Sequence, residues 1–140
     1  MNLKQETFSV CLSTISKKIE SLETSLRDLS EGAANEGKSS AGDKHETARA
    51  MAQLEQEKLG KQLLDAQAQK AVLEKNNGTL LKTNRGYIFI CIALGRIIAG
   101  GETVMAISPQ SPLGALFGGK KTGESISFNS IDYRIDEVVS

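Results

Sequence analysis

Tryptophan is absent, aromatic residues make up only 4% of the 140, and His45 is the only histidine. So few rings exclude a large aromatic core. Excess charge of either sign is also missing, since Lys+Arg and Asp+Glu both number 17. Divided at Asn77/Gly78, the first part has 11 basic and 12 acidic residues and the second has 6 and 5. Neither part is a polycation that would hold phosphate backbones or be drawn to an anionic membrane, so direct nucleic-acid binding is not expected. Long apolar runs are lacking too. Residues 87–99 are the most apolar stretch, but Arg96 interrupts them and they fall short of the ~20 residues a membrane span needs. The first residues are polar and contain no stretch suited to a signal peptide. Cysteine is limited to Cys11 and Cys91, on an apolar helix face and in an apolar strand. They read as small core hydrophobes rather than a disulfide. A soluble, cytoplasmic protein with no membrane contact is the expectation.

What the chain does contain is periodicity. Phe8, Leu12, Ile15, Ile19, Leu22, Leu26 and Leu29 alternate steps of four and three, the a/d seam of a coiled coil. Lys17, Lys18, Glu20, Glu23, Arg27 and Asp28 fill the solvated positions between. The spacing predicts a helix ending near Ser30, then a polar loop over residues 31–42 containing Gly32, Gly37 and Gly42. A second helix is expected from Asp43 to Asn76, stopped by Asn76-Asn77-Gly78. Its apolar positions are Ala48, Met51, Leu54, Leu59, Leu63, Ala66 and Leu73, and the five-residue step from Leu54 reads as a stutter. At ~1.5 Å per residue the two arms span about 35 and 50 Å. A connection this short favours antiparallel packing within one monomeric chain. The bland competitor is parallel dimerisation through the first seam.

After Thr79 the period becomes strand-like. Strands are expected at Leu80–Thr83, Tyr87–Leu94, Glu102–Ser108, Ser125–Phe128 and Ile131–Val138, with turns at Gly100-Gly101 and Asn129-Ser130. Ser111-Pro112 fits a helix start, serine as cap and proline at the first helical position. That helix should end at Gly118-Gly119. The fold class is therefore α+β: an antiparallel coiled-coil hairpin over 1–77, its tip loop at 31–42, then a small antiparallel sheet of four or five strands with one short helix over 78–140.

Two motifs share the bend. Gly32 to Ser39 fits the phosphate-loop pattern, but an amphipathic helix precedes it where such a loop needs an apolar strand to aim its amides. The match reads as accidental. Asp43 and Glu46, at i and i+3, fit a capping box. The same spacing puts both carboxylates near one face of the first turn. Two carboxylates alone cannot build an octahedral magnesium site, yet they can complete the shell of an ion held partly by another protein. Lys38, Lys44 and Arg49 flank them, either as a solvated helix end or as contacts for phosphate. His45 points away from the acidic face.

The run Gly42-Asp43-Lys44-His45-Glu46 resembles the Gly-Asp-x-x-Glu that opens the second coiled-coil helix in the GreA/GreB family of bacterial transcript cleavage factors. The stretch Ile107 to Glu124, with Ser111-Pro112-Leu113-Gly114 and Gly119-Lys120-Lys121-Thr122-Gly123-Glu124, resembles that family's second signature. Together with the hairpin architecture, the resemblance covers nearly the whole chain, more weakly over residues 1–40. The resemblance implies an FKBP-like C-terminal domain that docks at the rim of the secondary channel of RNA polymerase, through Ser111, Pro112, Leu113, Gly114, Gly119, Lys120 and Lys121. It further implies that the coiled coil enters the channel, where Asp43 and Glu46 help hold the second catalytic Mg²⁺ and position water. The chain would then be no enzyme by itself, would carry no cofactor of its own, and would meet nucleic acid only through the elongation complex. Departures from the family pattern are Ala50 near a usual aromatic, Gly118 for a bulky apolar residue, Glu124 for Asp, a loop richer in glycine and serine, and no opening Thr-x-x-Gly. A channel-binding regulator without cleavage activity and a coiled-coil interaction protein are the alternatives. An FKBP-like fold also raises prolyl isomerisation, which needs an aromatic-lined pocket. Tyr87, Phe89, Phe117, Phe128 and Tyr133 read instead as core.

Overall fold

Asn2 and Gln5 close the start of the first helix reciprocally. Gln5 N donates to Asn2 Oδ1 at 2.9 Å and Asn2 N donates to Gln5 Oε1 at 3.2 Å, a capping box that satisfies two otherwise orphaned amides. The computed structural model describes the backbone of residues 2–36 and 42–140 and the side chains of 2–32 and 46–140. Helix α1 spans Leu3–Glu36 and α2 spans Gly42–Lys75. The first helix therefore runs past Ser30, and the expected loop at 31–42 is helical as far as Glu36. Ala33, Ala34 and Glu36 are good helix formers, and they offset the ~1 kcal/mol that Gly32 costs in a helix interior. The rest of that loop, residues 37–41, lies outside the described residues.

The chain divides into two compact units. Residues Ile15–Ala68 form one of them. Within it, Ile15 is fully buried, Ile19, Leu22, Leu26 and Leu29 are half-buried, and the charged residues between them are exposed. In α2 the shielded positions are Ala48, Ala52, Gln56, Leu59, Leu63 and Ala66. Met51 and Leu54, expected in the seam, are instead 66% and 65% exposed. The seam steps four, four, three, four, three, an irregularity of the stutter kind. It keeps small Ala48 and Ala52 inside and rotates the larger side chains out.

The other unit holds Met1–Thr14 and Gln69–Ser140. Its six strands are β1 (Thr79–Thr83), β2 (Gly86–Ile90), β3 (Gly95–Ala99), β4 (Glu102–Ile107), β5 (Ser125–Phe128) and β6 (Ile131–Val139), with helix α3 (Pro112–Phe117). The sheet order is β3-β4-β2-β1-β6-β5. The sheet is mixed rather than antiparallel, because β2 and β4 pair in parallel. The expected strand Tyr87–Leu94 stops at Ile90, the end of β2, and a further strand not expected from the sequence, β3, starts at Gly95, φ 75°. Strand β4 then returns between β3 and β2, so a parallel pair forms with β3 as part of its crossover. Both expected tight turns are present, with positive φ at Gly100, Gly101, Asn129 and Ser130, the geometry that suits two-residue hairpins.

One sheet face packs Leu81, Ile88, Ile126 and Ile135 with Phe117 of α3, flanked by Leu113, Ile90, Ile107, Tyr133 and Val138. The Phe117 and Tyr133 rings meet edge-to-face at 5.7 Å, an arrangement favoured by their quadrupoles. Strand alternation turns Leu80, Phe89, Val104, Ala106, Ile97 and Ala99, all buried, to the opposite face. Thr7 and Cys11 of α1 and Leu73 of α2 are fully buried in the same unit. Among the described residues the Thr7 hydroxyl has no hydrogen-bond partner.

Gly78 joins α2 to β1. Its φ is +74°, its amide donates to Asn76 Oδ1 at 3.1 Å, and a Cβ built on it would stand 2.6 Å from the Phe89 ring and 2.9 Å from Cys91 Cβ. Glycine is required twice, for the left-handed backbone and for the missing methyl. Gly78→Ala should therefore lose about 3 kcal/mol, combining backbone strain with overpacking against a buried ring. Calorimetry should show Tm falling by roughly 10 °C.

Candidate functional site

Three groups of residues carry the functional expectation. Of the acidic group, Asp43 and Glu46 both fall within the first turns of α2 (Gly42–Lys75), so their i, i+3 spacing is realised on a helix. Glu46 is exposed, as are Arg49 and Ala50. The side chains of Asp43 and Lys44, and Lys38 altogether, lie outside the described residues. Among the described residues no three His, Cys, Asp or Glu side chains gather into a metal-binding cluster. The donor set named by sequence is thus two carboxylates, enough to add ligands to an ion held elsewhere but too few for an octahedral cage.

The phosphate-loop pattern meets a direct structural objection. Its first glycine, Gly32, and the residues to Glu36 belong to α1. Helical amides donate along the helix to their own carbonyls and cannot turn toward a phosphate.

The second group is the Ser111-Pro112-Leu113-Gly114 start of α3. Ser111 is the N-cap: its Oγ accepts from Gly114 N at 3.0 Å and donates to Ser108 O at 2.7 Å. Pro112 occupies the first turn, where no amide is missed. Gly114 is buried, and a Cβ there would lie on Ser108 O, so only glycine allows the preceding turn to fold back on the helix. Leu113 borders the core. Ser108 Oγ also accepts from Gln110 N at 3.1 Å. This motif is built as a rigid corner.

The third group, Gly119 to Glu124, is a turn pinned to β6. Gly123 N donates to Ile135 O at 2.8 Å and Ile135 N donates to Glu124 O at 2.9 Å. Glu124 Oε1 accepts from Lys121 N at 3.1 Å. Gly119 and Gly123 have φ of 75° and 90°. Lys120 and Lys121 are exposed; Lys120 Nζ stands 3.9 Å from Glu124 Oε2, an exposed pair worth little in stability. Both ammonium groups are presented to solvent by a turn whose own backbone is satisfied, which suits contact with an acidic surface.

Other chemistry in the chain is subdued. Cys11 and Cys91 are free and buried. Burial, and secondarily its neighbour Cys91, pushes the Cys11 thiol up to about 11, and burial also raises Cys91. Cys91 Sγ donates to Asn76 O at 3.2 Å. Such protonated thiols are poor nucleophiles, and their proximity in space is something their separation along the chain concealed. Cavities of about 760 and 310 Å³ occur in the unit containing the sheet. Of the five rings considered for a prolyl-isomerase pocket only Tyr87 lines either of them, while Phe89 and Phe117 are core. Among the described residues no helix is long and apolar enough to cross a membrane.

No family model matches the chain, and no curated protein and no solved structure matches it either. The functional reading therefore rests on the residues themselves.

The corner and the turn separate by stability. Ser111→Ala should cost about 1 kcal/mol through loss of the cap, and Gly114→Ala at least about 2 kcal/mol because backbone must move. Lys121→Ala should change stability by less than about 0.5 kcal/mol. Urea unfolding of the three variants measures this order directly.

Proposed function

We propose that this chain is a Gre-like transcription elongation factor, which binds RNA polymerase and stimulates cleavage of backtracked RNA through Asp43 and Glu46. The observation that carries the reading is a Gly-Asp-x-x-Glu run opening a 34-residue helix in a chain that also has the capped Ser-Pro-Leu-Gly corner and the Lys120-Lys121 turn. Helices α1 and α2 would form an antiparallel coiled-coil hairpin, each about 50 Å long. The shielded seams Ile15 to Leu29 and Ala48 to Ala66 support that pairing. The sheet unit, an FKBP-like domain in this reading, would dock at the rim of the secondary channel. Lys120 and Lys121 would make the contact, while Ser111, Pro112, Leu113, Gly114 and Gly119 hold their geometry.

In this proposal Asp43 and Glu46 reach the polymerase active site and add oxygen ligands to its second Mg²⁺. When bound, that ion activates water and stabilises the leaving oxygen in two-metal phosphodiester hydrolysis. Glu46 can present its carboxylate because it is exposed at the first turns of α2. Arg49, one turn further and also exposed, would meet phosphate oxygens of the extruded RNA. The chain supplies ligands in trans and is not an enzyme alone. Zero net charge fits a factor that meets nucleic acid only within the elongation complex.

A second reading has an observation of its own. Ala50, exposed on α2, stands near the position of a usual aromatic residue in the resembled family. A regulator that occupies the channel without promoting cleavage follows if that ring is needed to order the substrate. A pure coiled-coil interaction protein would need neither carboxylate.

RNA release from a stalled, backtracked elongation complex tests the choice. The wild-type chain should accelerate cleavage, and Asp43→Ala/Glu46→Ala should abolish the acceleration, by at least about a hundredfold, while still binding polymerase. Binding without acceleration by the wild type would establish the channel-occupying regulator instead. Absence of polymerase binding would overturn both.

A further inference from the structure

Strand β3 is an edge of the sheet, and its free side differs from that of the opposite edge. Strand β5, at the other end, is four residues long and exposes Ser125 and Ser127, a polar margin of the kind that discourages pairing. Strand β3 exposes Ile98 to 68% and lacks proline, with Arg96 as its one charged side chain.

The register fixes which backbone groups are available. Ala99 pairs with Glu102 across the two-residue Gly100-Gly101 turn, Ile98 with Thr103, Ile97 with Val104, and Arg96 with Met105. In a two-residue hairpin the pair flanking the turn exchanges both hydrogen bonds, and alternate pairs along the ladder do the same. Ala99 and Ile97 therefore direct their amides and carbonyls to β4. Arg96 and Ile98 direct theirs outward.

The same two residues define the open face. Ile97, Ala99, Val104 and Ala106 are buried on one side of the ribbon. Arg96, Ile98, Thr103 and Met105 share the other side by strand alternation and are exposed, Met105 to 39%. Arg96 is the only charge on that face, and among the described residues it has no ion-pair partner. An outward-pointing backbone ladder thus lies beside an apolar pair and one unpaired guanidinium.

We infer that the β3 edge is a docking site for an extended segment of a partner protein, added as a seventh strand. That segment would carry a carboxylate opposite Arg96 and an aliphatic side chain over Ile98 and Met105. Main-chain bonds to Arg96 and Ile98 provide attachment, and the two side chains provide selection. Charge chooses the partner over a second copy: β3 has no acidic residue, so antiparallel pairing with itself would leave both guanidinium groups unanswered. The inference does not depend on the polymerase reading.

The test uses the full chain and an end-blocked peptide of alternating threonine and valine with one central glutamate, with backbone amide shifts followed by NMR. Saturable binding should move the Arg96 and Ile98 amides most. Ile98→Pro removes an outward donor while leaving the ladder to β4 intact, because proline is tolerated where the amide faces solvent on an edge strand. It should weaken binding at least about tenfold, as should a lysine in place of the peptide glutamate. Arg96→Glu, a surface change that keeps the fold, should restore binding of the lysine peptide. No saturable binding, or binding indifferent to Ile98→Pro, overturns the proposal. So does concentration-dependent dimerisation that Ile98→Pro abolishes without any peptide binding, since that would assign the edge to a second copy.

Discussion

The fit of Phe89 beneath Gly78 is the contact on which the sheet unit depends. Phe89 is fully buried in a central strand, and the absent Gly78 side chain lets the ring and Cys91 close against the exit of α2. From that point the chain has little freedom. Asn76 ends the helix by accepting the Gly78 amide, β1 starts one residue later, and the carbonyl of Asn76 is taken by the Cys91 thiol. The first turns of α1 complete the same face. Cys91 adds to the burial that raises the Cys11 thiol, and a Cβ on Gly100 would meet the Glu6 carboxylate. Both helices are thereby fixed to the sheet at one end of each.

The two signature stretches in the second half of the chain turn out to be folding devices first. Ser111 caps, Pro112 starts the helix, Gly114 clears Ser108 O, and Gly119 and Gly123 adopt positive φ. Each residue has a local physical reason to be there. What these devices leave over is the pair Lys120 and Lys121, displayed on a turn whose hydrogen bonds are already made. Two exposed cations on a turn already held by its own hydrogen bonds would lose little order if a partner arrived. The acidic run in α2 is the converse case. The helix dipole, which favours acids in a first turn, is enough to explain Asp43 and Glu46, and only the exposure of Glu46 leaves it available to a partner.

Much of the architecture was legible in the residues. The a/d spacing of Ile15 to Leu29 matches the half-buried positions of α1, and the Asn76-Asn77-Gly78 stop, the two tight turns and α3 at Pro112–Phe117 all follow local chemistry. The misses have physical causes. Ala33, Ala34 and Glu36 carried α1 through Gly32, since one glycine lowers helix stability without ending it. Met51 and Leu54 look like seam residues because they are large and apolar, whereas the shielded positions are Ala52 and Gln56. Strand β3 was hidden because Tyr87 to Leu94 is continuously apolar, and a central strand buried on both faces has no alternation to mark its end. Parallel pairing of β2 with β4 is a long-range choice that no local pattern encodes. The Gly42 to Glu46 run was legible as a motif, but not its chemical role, because two carboxylates alone do not specify what they would bind.

The proposed placement of the start of α2 beside a catalytic metal of the polymerase can be mapped directly. Replacing that metal by ferrous ion in a backtracked complex and generating hydroxyl radicals would map whatever lies beside it. Cuts in this chain should be confined to the residues around Asp43 and Glu46. Cuts confined to residues 78–140, or no cuts in a complex that has bound the chain, would contradict it.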